Sequence, residues 1–389
     1  MKEPEFDPRP ILKWCTSDLD ALLARLRAAV EHESPSGDRA AIDAMAEFYA
    51  GEFRAAGGRA RLLPHRTAGA AVLAEFPAPG AGAGRPAVKP LLLLGHHDTV
   101  WALGTLRSMP FRLRAGRAYG PGIYDMKSGI ACALWALKAL RALRLPRSRP
   151  VRVFLNPDEE LASRAFRGRI QAEARRAHAV LVLEPAAPGG ALKTARKGVG
   201  EFRLTVRGRS AHAGINPAAG VNAITELAHQ ILRIEQIAGA GRGVTLTVGV
   251  IEGGTRSNVV PETARARIDA RVPRLADGRR IERLMHALRA VHPEARLEVE
   301  GGINRPPMER VRAAALFARA QALGRRMGLE LAEASTGGGS DGNFTAALGI
   351  PTLDGLGGVG DGAHARHEHV VVRELPRRAA LLAALMATL

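Results

Sequence analysis

Four consecutive leucines, Leu91-Leu92-Leu93-Leu94, run directly into Gly95-His96-His97-Asp98-Thr99-Val100. A strand that is apolar at every position cannot leave either face in water, and the fold that covers both faces is a parallel sheet between layers of helices. The neighbouring segments agree with this. Residues 126–143 carry helical spacing and good helix formers, 151–155 read as a strand, 161–177 as a helix and 179–183 as a strand. The resulting βαβαβ order predicts a mostly parallel α/β sheet.

Beyond about residue 195 the pattern changes. Residues 202–206 alternate apolar and polar, 221–237 form an amphipathic helix, and strands at 244–251 and 264–272 precede a helix near 278–291 and a strand at 295–299. This β-α-β-β-α-β order is the ferredoxin-like plan, built on an antiparallel sheet. The expected organisation is a first domain in two segments, 1–194 and 306–389, with residues 195–305 inserted between them. In the second segment, 311–327 read as a helix and 349–353 as another strand of the first sheet. The proline- and glycine-rich stretch 77–90 reads as a surface loop, and no 20–50-residue repeat is visible.

A chain of 389 residues is long for one core, consistent with two domains. Its net charge of +18 raises the question of nucleic acid. Only seven of the 56 basic residues are lysine, the arginines are spread over every segment, and aromatic residues for base stacking are scarce at 4%. Nucleic-acid binding is therefore not expected, and a mild attraction for anionic substrates is. The polar, proline-broken first ten residues do not read as a signal peptide, and no segment has the length and apolarity to span a membrane. Two distant cysteines, Cys15 and Cys132, imply no disulfide framework, so the expected location is the cytoplasm.

In open α/β sheets ligands bind beyond the carboxyl ends of the strands, and each predicted strand there ends in metal-ligand chemistry. In extended chain His96 and Asp98 share a side, while His97 faces the other way. An imidazole ligand backed by a carboxylate uses this arrangement. Residues 151–155 lead to Asp158-Glu159-Glu160, and 179–183 lead to Glu184. Asp125 follows a glycine-rich turn, where it could also cap a helix, and the last strand leads to Asp361-Gly362-Ala363-His364-Ala365-Arg366-His367-Glu368. So many acidic groups on one sheet edge repel one another unless cations neutralise them. Mixed histidine and carboxylate donors without cysteine suit zinc, cobalt or manganese.

The series GHHDTV, GPGIYDMKSG, NPDEE, LEP, GRSAHAG, TGGGSD and GAHARHE, spread over almost the whole chain, resembles the M20 metallopeptidase family, which includes glutamate carboxypeptidase, acetylornithine deacetylase and succinyl-diaminopimelate desuccinylase. The glutamate carboxypeptidase branch is the most similar. The resemblance implies two divalent ions, most simply zinc, with Asp125 bridging them, His96 and Glu184 completing one site, and Glu160 and His364 the other. It implies Asp98 as the support of His96 and Glu159 as general base; spacing alone does not separate Glu159 from Glu160. His212 would stabilise the oxyanion, from a partner subunit or after closure of a lid. Arg305 and Asn258 would hold a substrate carboxylate, and Gly338 and Gly339 would bring backbone close to it. The chain departs from the pattern at Ser128, and at His367 and His369 beside Glu368. His367 lies three residues from His364, but His364 matches the family position.

The implied activity is hydrolysis of an amide bond next to a free carboxylate in a peptide or N-acyl amino acid. The implied assembly is a homodimer through the inserted lid domain. The alternatives are an N-acyl amino acid deacylase of the acetylornithine deacetylase or desuccinylase type and, from another class, a small-carboxylate binding protein without turnover.

Overall fold

A computed structural model describes residues 6–78, 88–239 and 243–389. The core of the 77–90 loop, residues 79–87, lies outside the described residues. The chain divides into two compact units, one formed by Arg196–Glu309 with Thr336–Gly339, the other by the remaining segments. The second unit thus reaches Glu309 rather than 305 and takes in a short distant stretch. The reason is hydrogen bonding: Lys197 N–H donates to Thr336 O at 2.9 Å, and Arg196 Nη1 to the carbonyls of Gly338 and Gly339 at 3.2 Å each.

In the first unit six strands pair in the order Arg59–Leu63, Ala71–Phe76, Val151–Asn156, Leu91–His96, Ala179–Val182, Thr352–Leu353. The last four are mutually parallel; the first two add an antiparallel edge. Every residue of Leu91–His96 is buried, as an all-apolar strand requires. Leu92 and Leu94 pack with Phe154, Val180 and Val182 against Phe166, Ile170 and Ala174. Leu91 and Leu93 point to the opposite face. The helix Ser128–Ala142 is buried nearly all round, because Glu374–Thr388 covers it in turn.

Two expected helices begin late. The one anticipated from 126 starts at Ser128, after a wide turn, Ile123–Lys127, in which Asp125 and Met126 leave helical geometry and share a cis peptide bond. The one anticipated from 161 starts at Arg167, because Ala162 and Ser163 take left-handed conformations, φ 66° and 54°, after a single turn at Glu159–Leu161. Both irregular stretches carry candidate ligands. Of the strand anticipated at 349–353, only Thr352–Leu353 pairs.

The second unit runs Gly198–Arg207, Ala223–Gly239, Thr245–Gly253, Thr263–Val272, Leu275–His286, Arg296–Arg305 as β-α-β-β-α-β. Its antiparallel sheet has the order Thr245–Gly253, Thr263–Val272, Gly198–Arg207, Arg296–Arg305. Phe202, Leu204, Ala266 and Ile268 bury one face against Leu227, Ile234, Ile281 and Met285 of the helices. The other face is solvated and carries Arg207 paired with Glu298 at 3.1 Å and Arg267 with Glu201 at 3.2 Å. Some of the dispersed arginine thus sits in exposed ion pairs. Among the described residues no helix is long and apolar enough to cross a membrane.

Candidate metal centre

Strand ends and irregular turns of the first unit bring five side chains together. His96, the last residue of its strand, directs Nε2 to Asp125 Oδ1 at 3.2 Å and Glu184 Oε1 at 3.6 Å. From the loop after the last strand, His364 directs Nε2 to Glu160 Oε1 at 3.2 Å and to Asp125 Oδ2 at 3.5 Å. The two oxygens of Asp125 therefore face different histidines. Donor atoms of His96, Asp125 and Glu160 all lie within 4.8 Å of one another.

These spacings suit cations. Metal–ligand bonds of about 2.1 Å at tetrahedral angles put neighbouring donor atoms roughly 3.4 Å apart, and the four contacts fall at 3.2, 3.6, 3.2 and 3.5 Å. The tautomer of His96 points the same way. Its Nδ1 faces two acceptors, Asp98 O at 3.0 Å and Asp98 Oδ1 at 3.3 Å. The proton of the neutral ring is therefore assigned to Nδ1, which leaves the Nε2 lone pair facing a carboxylate oxygen. Two lone pairs at that distance repel unless a cation or a second ring proton stands between them.

The titration tendencies reflect that demand. Burial disfavours charge on His96, but its hydrogen bonds to Asp125 and Asp98 outweigh burial and raise its pKa well above the ordinary value. Hydrogen bonds to Asp125 and Glu160 raise His364 to about 10. Burial opposes ionisation of Asp125, yet His364 and His96 hold its carboxyl well below the usual range. Burial raises Glu160 against the pull of His364. The arrangement of His96, Asp125 and Glu160 is one that can hold a metal ion.

Asp98 does more than face His96. It is fully buried and accepts from Glu159 N–H and Glu160 N–H at 3.2 Å each and from Ser36 Oγ at 2.7 Å. It thereby ties the His96 segment to the turn carrying both glutamates. Burial works against its charge, but His96 and Ser36 outweigh it and lower its pKa. His97 turns into the fold, where its Nε2–H donates to Ala70 O at 3.1 Å, and burial lowers its pKa to about 4. Asp125 does not cap the following helix, whose N-cap position is Lys127. His367 is exposed. Ser128 is buried at the helix start, its Oγ without a hydrogen-bond partner among the described residues.

Glu368 belongs to the sequence motif, but nothing in the sequence marked a role for it. Fully buried, it accepts four hydrogen bonds, from Trp101 Nε1 and from the backbone N–H groups of Gly122, Tyr124 and Asp125. Backbone donors leave no trace in residue types, so an acid at a loop end was the only available signal.

The remaining candidates lie in the second unit. His212 is exposed, and its Nδ1 accepts from the N–H groups of Gly214 and Ile215 at 3.1 and 3.2 Å. The proton of its neutral ring is therefore on Nε2, which points a donor outward. Asn258 is exposed beside it and accepts Ala213 N–H through its carbonyl at 3.0 Å. Arg305, the last residue of its strand, is buried. A Cβ on Gly339 would lie 3.0 Å from Arg305 Cδ and 3.2 Å from Val199 Cγ2, whereas one on Gly338 would meet nothing within 4 Å.

The sequence profile of peptidase family M20/M25/M40 matches residues 92–388. Carboxypeptidase G2 of Pseudomonas sp. (strain RS-16) is 31% identical over 382 residues, 97% of this chain and 91% of that enzyme. Acetylornithine deacetylase of Myxococcus xanthus is 31% identical over 222 residues, 54% of this chain and 56% of that one. Aminopeptidase PepT from Bacillus cereus ATCC 10987 has the same fold, with a TM-score of 0.75 at 20% identity over 95% of this chain and 98% of that one. With a profile spanning most of the chain and a relative matched nearly end to end, this protein belongs to peptidase family M20/M25/M40, near the glutamate carboxypeptidase branch, and is an enzyme of the carboxypeptidase or deacylase type.

Proposed function

We propose that this enzyme is a di-zinc hydrolase that cleaves the amide bond next to a free carboxylate in peptides or N-acyl amino acids. The observation that carries the reading is Asp125, whose two oxygens face His96 and His364 at 3.2 and 3.5 Å. His96, Glu184 and Asp125 would hold one ion, and His364, Glu160 and Asp125 the other. Bound there, two such ions polarise a scissile carbonyl and make a water acidic.

The chain's own residues do the rest. Glu159 takes the water's proton and delivers it to the leaving amine, while its neighbour Glu160, oriented to His364, serves as ligand. Asp98 holds both in place through their backbone N–H groups. His212 donates Nε2–H to the developing oxyanion, a role its tautomer supports. Arg305 and Asn258 pair with the substrate carboxylate, and Gly338 and Gly339 shape the approach beside them. The inserted unit is a ferredoxin-like lid and dimerisation domain. Its edge strand Thr245–Gly253 exposes Val250 and Ile251, a surface suited to a second copy.

The test is a panel of dipeptides and N-acyl amino acids with zinc, cobalt or manganese supplied. Turnover confined to substrates with a free carboxylate beside the amide is expected, and indifference to that carboxylate would overturn the reading. Preference for small N-acyl groups would favour the deacylase alternative, which the acetylornithine deacetylase match supports. Metal-dependent binding without turnover of any member would favour the non-catalytic reading. For action of His212 across subunits, inactive His212→Ala and Glu159→Ala proteins should regain activity in hybrid dimers.

A further inference from the structure

The backbone at 122–125 is irregular. Gly122 is left-handed at φ 69°, and Asp125 departs from helical geometry at φ −111°, ψ 95°. A partly buried segment of this kind, with Gly122 and Ile123 buried and Tyr124 and Asp125 half-buried, does not satisfy its N–H groups through a helix or strand ladder, so it needs an outside acceptor. That acceptor is a single side chain. Glu368 Oε2 takes Gly122 N–H at 2.9 Å and Trp101 Nε1–H at 2.8 Å, and Oε1 takes Tyr124 N–H at 2.9 Å and Asp125 N–H at 3.0 Å. Each partner belongs to a segment that carries candidate ligands. Trp101 follows His96 and Asp98, residues 122–125 end in Asp125, and Glu368 shares a loop with His364.

We propose that Glu368 is a positioning residue that sets the place of Asp125 between His96 and His364 by accepting the backbone N–H of Asp125 and its neighbours. The inference rests on the di-metal reading above and adds a residue to it. Only a carboxylate fits the task. Each oxygen receives two N–H groups, whereas a glutamine of the same shape offers one oxygen and turns an NH₂ toward two other donors. Aspartate keeps the charge but falls one methylene short of partners at 2.8–3.0 Å.

The experiment titrates metal-free wild type, Glu368→Gln and Glu368→Asp with zinc chloride by calorimetry, with thermal unfolding followed by circular dichroism. Both variants should unfold cooperatively and bind zinc 10- to 100-fold more weakly than wild type, the range for lost support of metal ligands. Because aspartate preserves the charge, weakened binding in Glu368→Asp separates positioning from electrostatics; wild-type zinc affinity in that folded variant overturns the proposal. Should Glu368→Gln not fold, Glu368→Asp alone decides. A wild-type protein that binds no zinc overturns the di-metal reading and this inference with it, whereas normal wild-type binding with unaltered variants overturns this inference alone.

Discussion

His97 sits between two residues of the candidate centre yet turns away from it, and its surroundings make a quantitative prediction about acid stability. Its Nε2–H donates to Ala70 O at 3.1 Å, and its Nδ1 is buried without a hydrogen-bond partner among the described residues. A second proton would have to sit on Nδ1 with no acceptor, in a site 1% exposed. Burial accordingly lowers its pKa from 6.5 to about 4. Above pH 6.5 the ring is neutral in both the folded and unfolded chain, and the shift has no effect. As the pH falls from 6.5 toward 4, the unfolded chain binds a proton that the folded chain does not, so stability is lost across that window. By linkage the loss at pH 4.5 amounts to about 2–3 kcal/mol. The assay is urea unfolding of metal-free wild type and His97→Gln at pH 7.5, 6.5, 5.5 and 4.5. Glutamine keeps an N–H for Ala70 O and does not titrate, so its curve should fall less steeply than that of wild type by the same amount. Parallel curves would refute the argument, whatever the absolute stabilities.

Three further outcomes are expected. Glu159→Gln should reduce kcat by at least about 100-fold and leave zinc stoichiometry near that of wild type, whereas Glu160→Gln should weaken zinc binding; the reverse pattern, read by metal analysis, would exchange their roles. Gly129→Ala would place a Cβ 2.0 Å from Leu183 O, so the strand end before Glu184 must move by about an ångström. Overpacking of this kind costs about 1–3 kcal/mol, and both thermal unfolding and zinc affinity should show it. Asp98→Ala leaves the N–H groups of Glu159 and Glu160 without their Asp98 acceptor and the Ser36 hydroxyl with only Thr99 O at 3.1 Å. The folded protein should lose about 2–4 kcal/mol in urea unfolding, and zinc affinity should fall with it.

Much of the architecture was legible because it is written in short-range patterns. The leucine run predicted a strand buried on both faces, and every residue of Leu91–His96 is buried. Alternation from 202 to 206 predicted a one-sided sheet, and Phe202 and Leu204 face the helices while Arg203 faces water. Element boundaries failed where the backbone leaves regular geometry. The helices anticipated from 126 and 161 start at Ser128 and Arg167 because the residues before them form turns that periodicity cannot see. In one of these turns the left-handed residues are Ala162 and Ser163, not glycine, so residue type gave no warning.

By itself the sequence determined the order of the main strands and helices within 91–183 and 202–299 and the kinds of donor at each strand end, since burial period and residue chemistry act over a few residues. The helices Arg9–Ser17, Leu19–Glu31 and Arg39–Ala55 and the edge strands Arg59–Leu63 and Ala71–Phe76 were not read from it. It also determined that His96 and Asp98 share a side and His97 does not, because extended backbone alternates. Only the tertiary structure decided that Asp125 lies between His96 and His364, that Glu160 turns to His364, and that Glu368 accepts the backbone of the Asp125 turn. These contacts join residues as far apart as Asp125 and Glu368. They rest on loop closures and backbone N–H groups, which no local pattern of side chains records.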